Sequence, residues 1–242
     1  LDGTPLPLDF AAGLKTDAVA DEWTAYPNPK ATGFSLTQVA GSRNTGWAAT
    51  LRPSGQGACG MAQSGLNLVS GHTYHGMAWL RAEGEVRDIR VELLDATGAR
   101  VSLAELSSGT EGWTEASFQL PCDRTDREGK PVLTADGTGT LLVDMLSLMR
   151  DDSLQTGCRA DLLEAVRGLQ PTIIRWPGGC FASIYRWKRA IGPQNERKPF
   201  HNYVWGEWDS SGFGTDEFVH LCREVGADPL LVLNLGSWDS PD

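Results

Sequence analysis

The feature that most constrains this chain is a change of periodicity at Asp151-Asp152. Before it, from about Phe34 to Met149, short alternating or apolar runs are broken by Gly, Asn, Asp and Pro at near-regular intervals, the pattern of an all-β sandwich. After it, apolar residues fall at helical spacing and alternate with apolar runs too short to be helices, the pattern of a parallel α/β sheet with helices outside it. Two such grammars in one chain call for two cores.

In the first part the spacing predicts strands over Phe34 to Ala40, Trp47 to Leu51, Gly60 to Val69, Thr73 to Arg81, Asp88 to Leu94, Trp113 to Leu120 and Thr140 to Met149. Asp95-Ala96-Thr97-Gly98 reads as a hairpin turn in which Gly98 takes positive φ. In the second part Leu162, Ala165, Val166 and Leu169 form one apolar helix stripe, ended by Gln170-Pro171. Phe218, Leu221, Cys222 and Val225 form another, with Thr215 as N-cap candidate, acidic Asp216 and Glu217 in the first turn and Gly226 as its stop.

Between and after these helices run two apolar strands, Pro171 to Trp176 and Pro229 to Gly236, both expected to be buried. The first stops abruptly. Its Arg175-Trp176 is followed by Pro177, which cannot donate to a ladder, and by Gly178-Gly179, which allow close backbone approach, before Cys180. The order helix, strand, long loop, helix, strand is the repeating unit of a (β/α)8 barrel, whose active sites lie at the C-terminal strand ends. Arg175 to Cys180 and Asn234 to Ser237 lie there, and Phe181 to Phe213 forms a loop far longer than the usual two to about six residues.

Composition narrows the partners. With a formal net charge of −10 and no long run among its 21 Lys and Arg residues, the chain lacks the basic footprint that nucleic acid requires, and a neutral ligand fits better. No apolar stretch approaches the roughly 20 residues that span a bilayer. The start Leu1-Asp2-Gly3-Thr4-Pro5 has no basic segment followed by an apolar one, so a soluble protein is expected, secreted or extracytoplasmic, with its signal absent from the chain. Cys59, Cys122, Cys158, Cys180 and Cys222 are odd in number and show no C-x-x-C spacing, which argues against structural zinc. Cys180 is the expected unpaired thiol and Cys222 fits a helix face, while spacing leaves open whether Cys59 and Cys122 pair. His72 and His75 would point to opposite faces of a strand, and His201 and His220 lie far off. Asp144, Asp151 and Asp152 could share a calcium ion, although a solvated acidic turn is the plainer reading. No phosphate-binding loop or dinucleotide fingerprint occurs. We expect no cofactor and no metal.

The residues Arg175-Trp176-Pro177-Gly178-Gly179-Cys180-Phe181, then Tyr185-Arg186-Trp187-Lys188, Ile191-Gly192-Pro193 and Arg197, resemble the signature of glycoside hydrolase family 51, the α-L-arabinofuranosidases. Trp205, Phe213-Gly214-Thr215-Asp216-Glu217-Phe218, Gly226-Ala227-Asp228-Pro229 and Asn234-Leu235-Gly236 continue it. Upstream, Val143 to Leu148 and Arg159 to Leu162 are similar to the family's passage from an inserted sandwich into the barrel. The resemblance implies a carbohydrate-binding-like jelly-roll β-sandwich over residues 1–150. It implies the early β/α units of a (β/α)8 TIM barrel over 151–242. The activity implied is retaining hydrolysis of terminal arabinofuranosyl residues from plant polysaccharides by two Glu residues. Both Glu residues are expected outside the chain, since the family's Asn-Glu pair belongs well after Gly236, and closure needs eight strands in about 250 residues. The chain therefore reads as a fragment whose partners are an arabinose-containing oligo- or polysaccharide and the remainder of the same barrel.

Within that scheme no catalytic residue is expected here, and the substrate-binding candidates are Cys180, Arg175, Trp205 and Asn234. Arg175, expected on a buried strand, needs a partner, which the resemblance identifies as the catalytic carboxylates; a structural ion pair is the alternative. Cys180 stands where the family contacts the furanose, though a lone Cys is more often a small buried residue. Trp205 matches the family's pocket tryptophan, and an anchored loop is the alternative. Asn234 either touches a sugar hydroxyl or supports another pocket residue. Glu207, between Trp205 and Trp208, could be desolvated, but a solvated loop carboxylate is the plainer reading. Competing functions are an endo-acting glucanase or xyloglucanase of the same family, and a non-catalytic carbohydrate-binding module using Trp79, Trp113 or Tyr74. Trp79 and Trp113 lie in expected strands and could simply be core.

Overall fold

The computed structural model describes residues 23–27, 33–42, 46–109, 112–153, 157–202, 205 and 207–235, with the side chains of His201, Glu207 and Trp208 outside the description. The sequence segments 1–22 and 236–242, including Gly236 and Ser237, lie outside it as well. The chain divides into two compact units, with the division between Asp151 and Asp152.

The first unit is a β-sandwich. One sheet takes β1 (Trp23–Tyr26), β4 (Cys59–Gln63), β10 (Asp126–Gly137), β7 (Val86–Leu94) and β8 (Arg100–Leu106) in that spatial order, with β5 (Leu66–Leu68) also paired to β10. The other takes β2 (Phe34–Gln38), β3 (Trp47–Leu51), β11 (Thr140–Arg150), β6 (Thr73–Glu83) and β9 (Thr114–Pro121). Every pairing in the unit is antiparallel. Period-two alternation decides which side chains face inward. On β6, Tyr74, Gly76, Ala78 and Leu80 turn in while His75, Met77, Trp79 and Arg81 alternate with them. Leu51, Leu80, Leu120 and Leu141 of one sheet meet Leu93 and Leu133 of the other in one core, each fully buried. Gly76 is required opposite Phe118, whose ring occupies the space a Cβ would need.

Three strands of the sandwich escape the sequence reading, and each has a physical reason. β1 is only four residues long, too short for a period to show. β8 is exposed at every second or third position and carries little apolar signal. β10 opens with Asp126-Arg127-Glu128-Gly129-Lys130-Pro131, a charged run containing a proline. Pro131 is tolerated because β10 pairs β5 only through Gly129 and β4 only from Val132, so no ladder partner on that side waits at Pro131. The expected strand Gly60 to Val69 is two, broken at Ser64-Gly65, where Gly65 takes φ +83°.

The hairpin turn at Asp95 to Gly98 forms as expected, with Gly98 at φ +84°. Asp95 holds it: its Oδ1 accepts from the Thr97 amide and hydroxyl and the Ala99 amide, and its Oδ2 from Arg124 Nη1 at 2.7 Å. Tyr74, offered above as a sugar-binding aromatic, is core. Its hydroxyl donates to the Asn67 carbonyl at 2.6 Å and accepts from the Val69 amide at 3.1 Å. Trp113 packs against Val39, Ala48 and Leu142, with the Arg81 guanidinium 5.6 Å from its ring centre.

The second unit contains α1 (Ala160–Gly168), β12 (Ile173–Trp176), β13 (Phe200–Asn202), β14 (Glu207–Asp209), α2 (Thr215–Val225) and β15 (Asp228–Leu231). β12 and β15 pair in parallel, in register from Ile173 with Asp228 to Trp176 with Leu231. α2 buries Phe218 and Cys222 of the expected stripe, with Leu221 and Val225 half-buried, and ends at Gly226 in left-handed backbone. Its N-cap is Gly214 rather than Thr215, because the Gly214 amide donates to Glu217 Oε2 at 2.7 Å and the Ala190 carbonyl leaves no room for a Cβ there. In α1 the expected stripe does not face inward: Leu163 is the buried residue, while Leu162 and Leu169 are exposed. α1 is held beside α2 by Arg167, which bonds the Glu224 carbonyl at 2.8 Å and carboxylate at 2.9 Å. β12 and β15 also depart from expectation, for neither is buried, and Ile173, Leu230, Leu231, Leu233 and Leu235 lie open. Two parallel strands with one helix layer cover one face and leave the other bare.

Candidate functional site

The site grows from the C-terminal end of the parallel pair. The pairing extends past β12 and β15 through the Val232 amide to the Trp176 carbonyl at 3.0 Å. Trp176 turns toward α2 and anchors an aromatic group, with ring centres 4.5 Å from Tyr185, 5.6 Å from Phe213 and 5.6 Å from Phe218. Phe181 joins it, 5.6 Å from Tyr185 and 6.1 Å from Phe200. Burial pushes the Tyr185 phenol above its ordinary pKa. Because strand side chains alternate, Arg175 points the opposite way from Trp176. It is exposed, with Nη2 beside Gly178, and makes no ion pair among the described residues. The carboxylates expected to partner Arg175 belong outside this chain, and the face that Arg175 occupies is the bare one.

After Pro177 the chain turns at Gly179, φ +56°, into a 3-10 turn, Gly179–Ser183, that carries Cys180 exposed on its surface. Asn234, beyond β15, donates from Nδ2 to the Ser183 carbonyl at 2.6 Å. That bond ties the two strand ends together and puts Arg175, Cys180 and Asn234 at one end of the sheet. Asn234 thus does support work in this geometry. No disulfide joins any two of the five cysteines; Cys122 and Cys222 are buried and Cys180 is exposed.

The long segment that follows is folded rather than structureless. It contains two more 3-10 turns, Trp187–Arg189 and Gln194–Glu196, and the β13–β14 hairpin. Arg197 fastens it. Its side chain is 3% exposed and forms a bidentate pair with Glu217, Nη2 to Oε1 at 2.8 Å and Nη1 to Oε2 at 2.9 Å. The remaining donors reach the Gly192 and Ser211 carbonyls. Burial alone would raise the Glu217 pKa, but Arg197 and the Gly214 amide outweigh it and hold the carboxyl below its usual range. Sequence reading noted Arg197 only as part of a resemblance; a lone Arg in a loop gives no sign of its partner twenty residues on.

Trp205 is 66% exposed, its amide donating to the Asn202 carbonyl at 3.2 Å. It does not line the cavity of about 350 Å³ formed by Trp176, Phe181, Asp209, Ser210 and Phe213. Of these, Asp209 was not singled out. Its Oδ1 accepts from the Ser211 amide at 2.7 Å, leaving Oδ2 as a further acceptor at the cavity. One loop carboxylate among many gives no sequence signal until the hairpin places it. Glu207 falls outside the described side chains. With Glu217 engaged by Arg197, the described residues offer recognition groups and an aromatic wall, and among them no two opposed carboxyl groups.

Residues 165–240 match the family model described as an α-L-arabinofuranosidase 1 domain. Alpha-L-arabinofuranosidase 1 of Arabidopsis thaliana is 31% identical over 183 residues, covering 71% of this chain and 27% of the relative. An extracellular exo-α-L-arabinofuranosidase of Streptomyces chartreusis is 30% identical over 190 residues, covering 70% of this chain and 22% of the relative. An arabinose-bound GH51 α-L-arabinofuranosidase structure shares the fold at TM-score 0.77 and 20% identity, over 91% of this chain and 39% of that one. The chain thus spans about a quarter of the length of these curated relatives.

Proposed function

This chain is a sequence relative of the α-L-arabinofuranosidases of glycoside hydrolase family 51 along the segment it shares with them, and from that premise we propose that it supplies part of the substrate pocket of such an enzyme. The observation that carries the reading is the Asn234 to Ser183 bond, which groups Arg175 and Cys180 at the C-terminal end of a parallel strand pair. In this reading Arg175 and Cys180 line the floor, Asn234 holds the turn, and Trp205 stacks on sugar from the loop. Residues 1–150 form a carbohydrate-binding-like sandwich, and residues 151–242 the first β/α units of the barrel. The substrate is an arabinose-bearing oligo- or polysaccharide. The remainder of the barrel is the partner of the open face and brings the two Glu residues of a double displacement.

Among the described residues no helix is long and apolar enough to cross a membrane. We place the protein outside the cytoplasm, a reading favoured by the Streptomyces relative whose name is extracellular.

The test has two arms. Residues 1–242 alone should show no hydrolysis of an aryl α-L-arabinofuranoside; robust turnover would overturn the location of the reacting carboxylates. In the longer protein that carries this segment, Arg175→Ala should lower kcat/KM by about 100-fold or more, and Cys180→Ala should raise KM with a smaller effect on kcat. Unchanged kcat/KM in both variants would remove this strand end from the pocket.

A further inference from the structure

The segment between β12 and α2 is an arm locked at its base. Its stem is the β13–β14 hairpin, paired from Phe200 with Asp209 to Asn202 with Glu207, and Trp205 lies in the connection between Asn202 and Glu207. Asn202 is buried and holds that connection, accepting the Trp205 amide on its carbonyl at 3.2 Å and on its Oδ1 at 3.3 Å. At the opposite end of the stem, contacts cross from the leg that enters it to the leg that leaves it. The Ser211 hydroxyl donates to the Lys198 carbonyl at 3.0 Å, and Gln194 Nε2 to the Gly212 carbonyl at 2.8 Å.

Arg197 completes the base, and all five donors of its guanidinium group are used. Nε and Nη2 reach the Gly192 carbonyl at 3.0 and 2.9 Å, and Nη1 reaches the Ser211 carbonyl at 3.1 Å. Nη1 and Nη2 each also reach one oxygen of Glu217. Gly192 precedes the stem, Ser211 follows it and Glu217 stands in the first turn of α2, so one planar group ties both legs of the arm to a helix. Ser211 is buried at φ +57°, a left-handed conformation that costs a non-glycine residue energy. Its amide, hydroxyl and carbonyl are all engaged, by Asp209, Lys198 and Arg197, which keeps it there.

What such a pair supplies is direction. Apolar packing of similar volume holds a buried loop about as well as an ion pair does, but a guanidinium fork fixes the angle at which each partner is met. That angle matters here because the stem leans on the strand-end site. Phe200 stacks with Phe181 at 6.1 Å, and Phe181 follows Cys180 in the 3-10 turn. The arm thus runs from the clamp, past the Cys180 turn, to an exposed indole. An exposed side chain on a loose loop must be ordered each time a ligand binds, and a stem fixed beforehand removes part of that cost.

We infer that Arg197 and Glu217 are positioning residues for sugar recognition: by joining Gly192, Ser211 and the first turn of α2 they fix the base of the β13–β14 arm, and with it the place of Trp205 relative to the Arg175 and Cys180 strand end. Neither residue touches substrate; they act through Trp205. The inference rests on the reading that Trp205 stacks on sugar.

The test uses the longer protein that carries this segment, labelled with 5-fluorotryptophan. The fluorine resonance of Trp205, assigned by its loss in Trp205→Phe, reads the indole without substrate, and hydrolysis of an aryl α-L-arabinofuranoside gives kcat and KM. Arg197→Lys keeps the charge with three donors in place of five, and Glu217→Gln keeps the shape with a weaker pairing; both should retain the thermal unfolding transition. Arg197→Lys should shift or broaden the Trp205 resonance and raise KM about three- to tenfold with kcat within about twofold, and Glu217→Gln should do the same to a smaller degree. Trp205→Ala should raise KM as well, and adding Arg197→Lys to it should raise KM no further, since the clamp then has nothing to place. An unmoved Trp205 resonance in both clamp variants, additive effects in the double variant, or a fall in kcat at unchanged KM overturns the positioning role. A Trp205→Ala effect that the clamp variants do not share overturns that role and leaves the sugar contact standing. Trp205→Ala without kinetic effect overturns the sugar contact, and the positioning role with it.

Discussion

Asp95 and Arg197 show how single polar residues hold loops that apolar packing cannot. The Thr97 hydroxyl bond, aided by Arg124 and two backbone amides, lowers the Asp95 pKa to about 2 from 3.8. A depressed folded-state value means that Asp95 contributes fully above about 3.8 and that its contribution fades as pH falls through about 2. Urea midpoints measured across that window should fall with acidification, and Asp95→Asn should flatten this part of the profile; an identical slope in the variant would assign the acid sensitivity elsewhere. Arg197→Ala leaves Glu217 in a partly buried site without its countercharge, and a loss of roughly 3 kcal/mol is expected in that unit. Differential unfolding followed by the near-ultraviolet signal of the Trp176 aromatic group would show it, and a loss below about 1 kcal/mol would reduce the pair to a surface contact.

Elements differ in how openly they announce themselves. α2 was legible because an acidic first turn, an i, i+3, i+4, i+7 stripe and a closing glycine all agree, and its stripe is the one buried. α1 had the same spacing but packs through Leu163, because which face of a helix is covered depends on what lies beside it. In the sandwich, β6 and β9 were legible by alternation, whereas β10 was hidden by charged residues and Pro131 at a place where pairing changes from one strand to another. Gly76 belongs to this scale, since it lets the β6–β9 pair carry Phe118 inward. Gly76→Ala should force that ring aside and lower the sandwich's stability by about 1–3 kcal/mol in denaturant unfolding.

At the scale of the molecule, the two units differ in completeness. The sandwich closes its own core, with Leu51, Leu68, Leu80, Leu93, Leu120, Leu133 and Leu141 fully buried in it. The second unit covers one face of its parallel pair and leaves Ile173, Leu230, Leu231, Leu233 and Leu235 exposed, the last at 93%. Contiguous apolar surface and open strand edges drive association. The 242-residue chain alone should therefore bind a hydrophobic dye and associate with rising concentration, and Leu233→Ser with Leu235→Ser should reduce both. Light scattering that shows a monomer insensitive to these substitutions would argue that the face needs no cover.

The sequence by itself determined the two grammars, the stop at Gly226, the turn at Asp95 and the strand end at Arg175 to Cys180, because each is written in neighbouring residues through backbone preference and period. Tertiary structure alone decided that Asn234 reaches Ser183, that Arg197 finds Glu217 and that Asp209 lines a cavity. Those are contacts between residues far apart in the chain or consequences of register, and a local pattern carries no information about which distant group will fill, or leave empty, the space beside it.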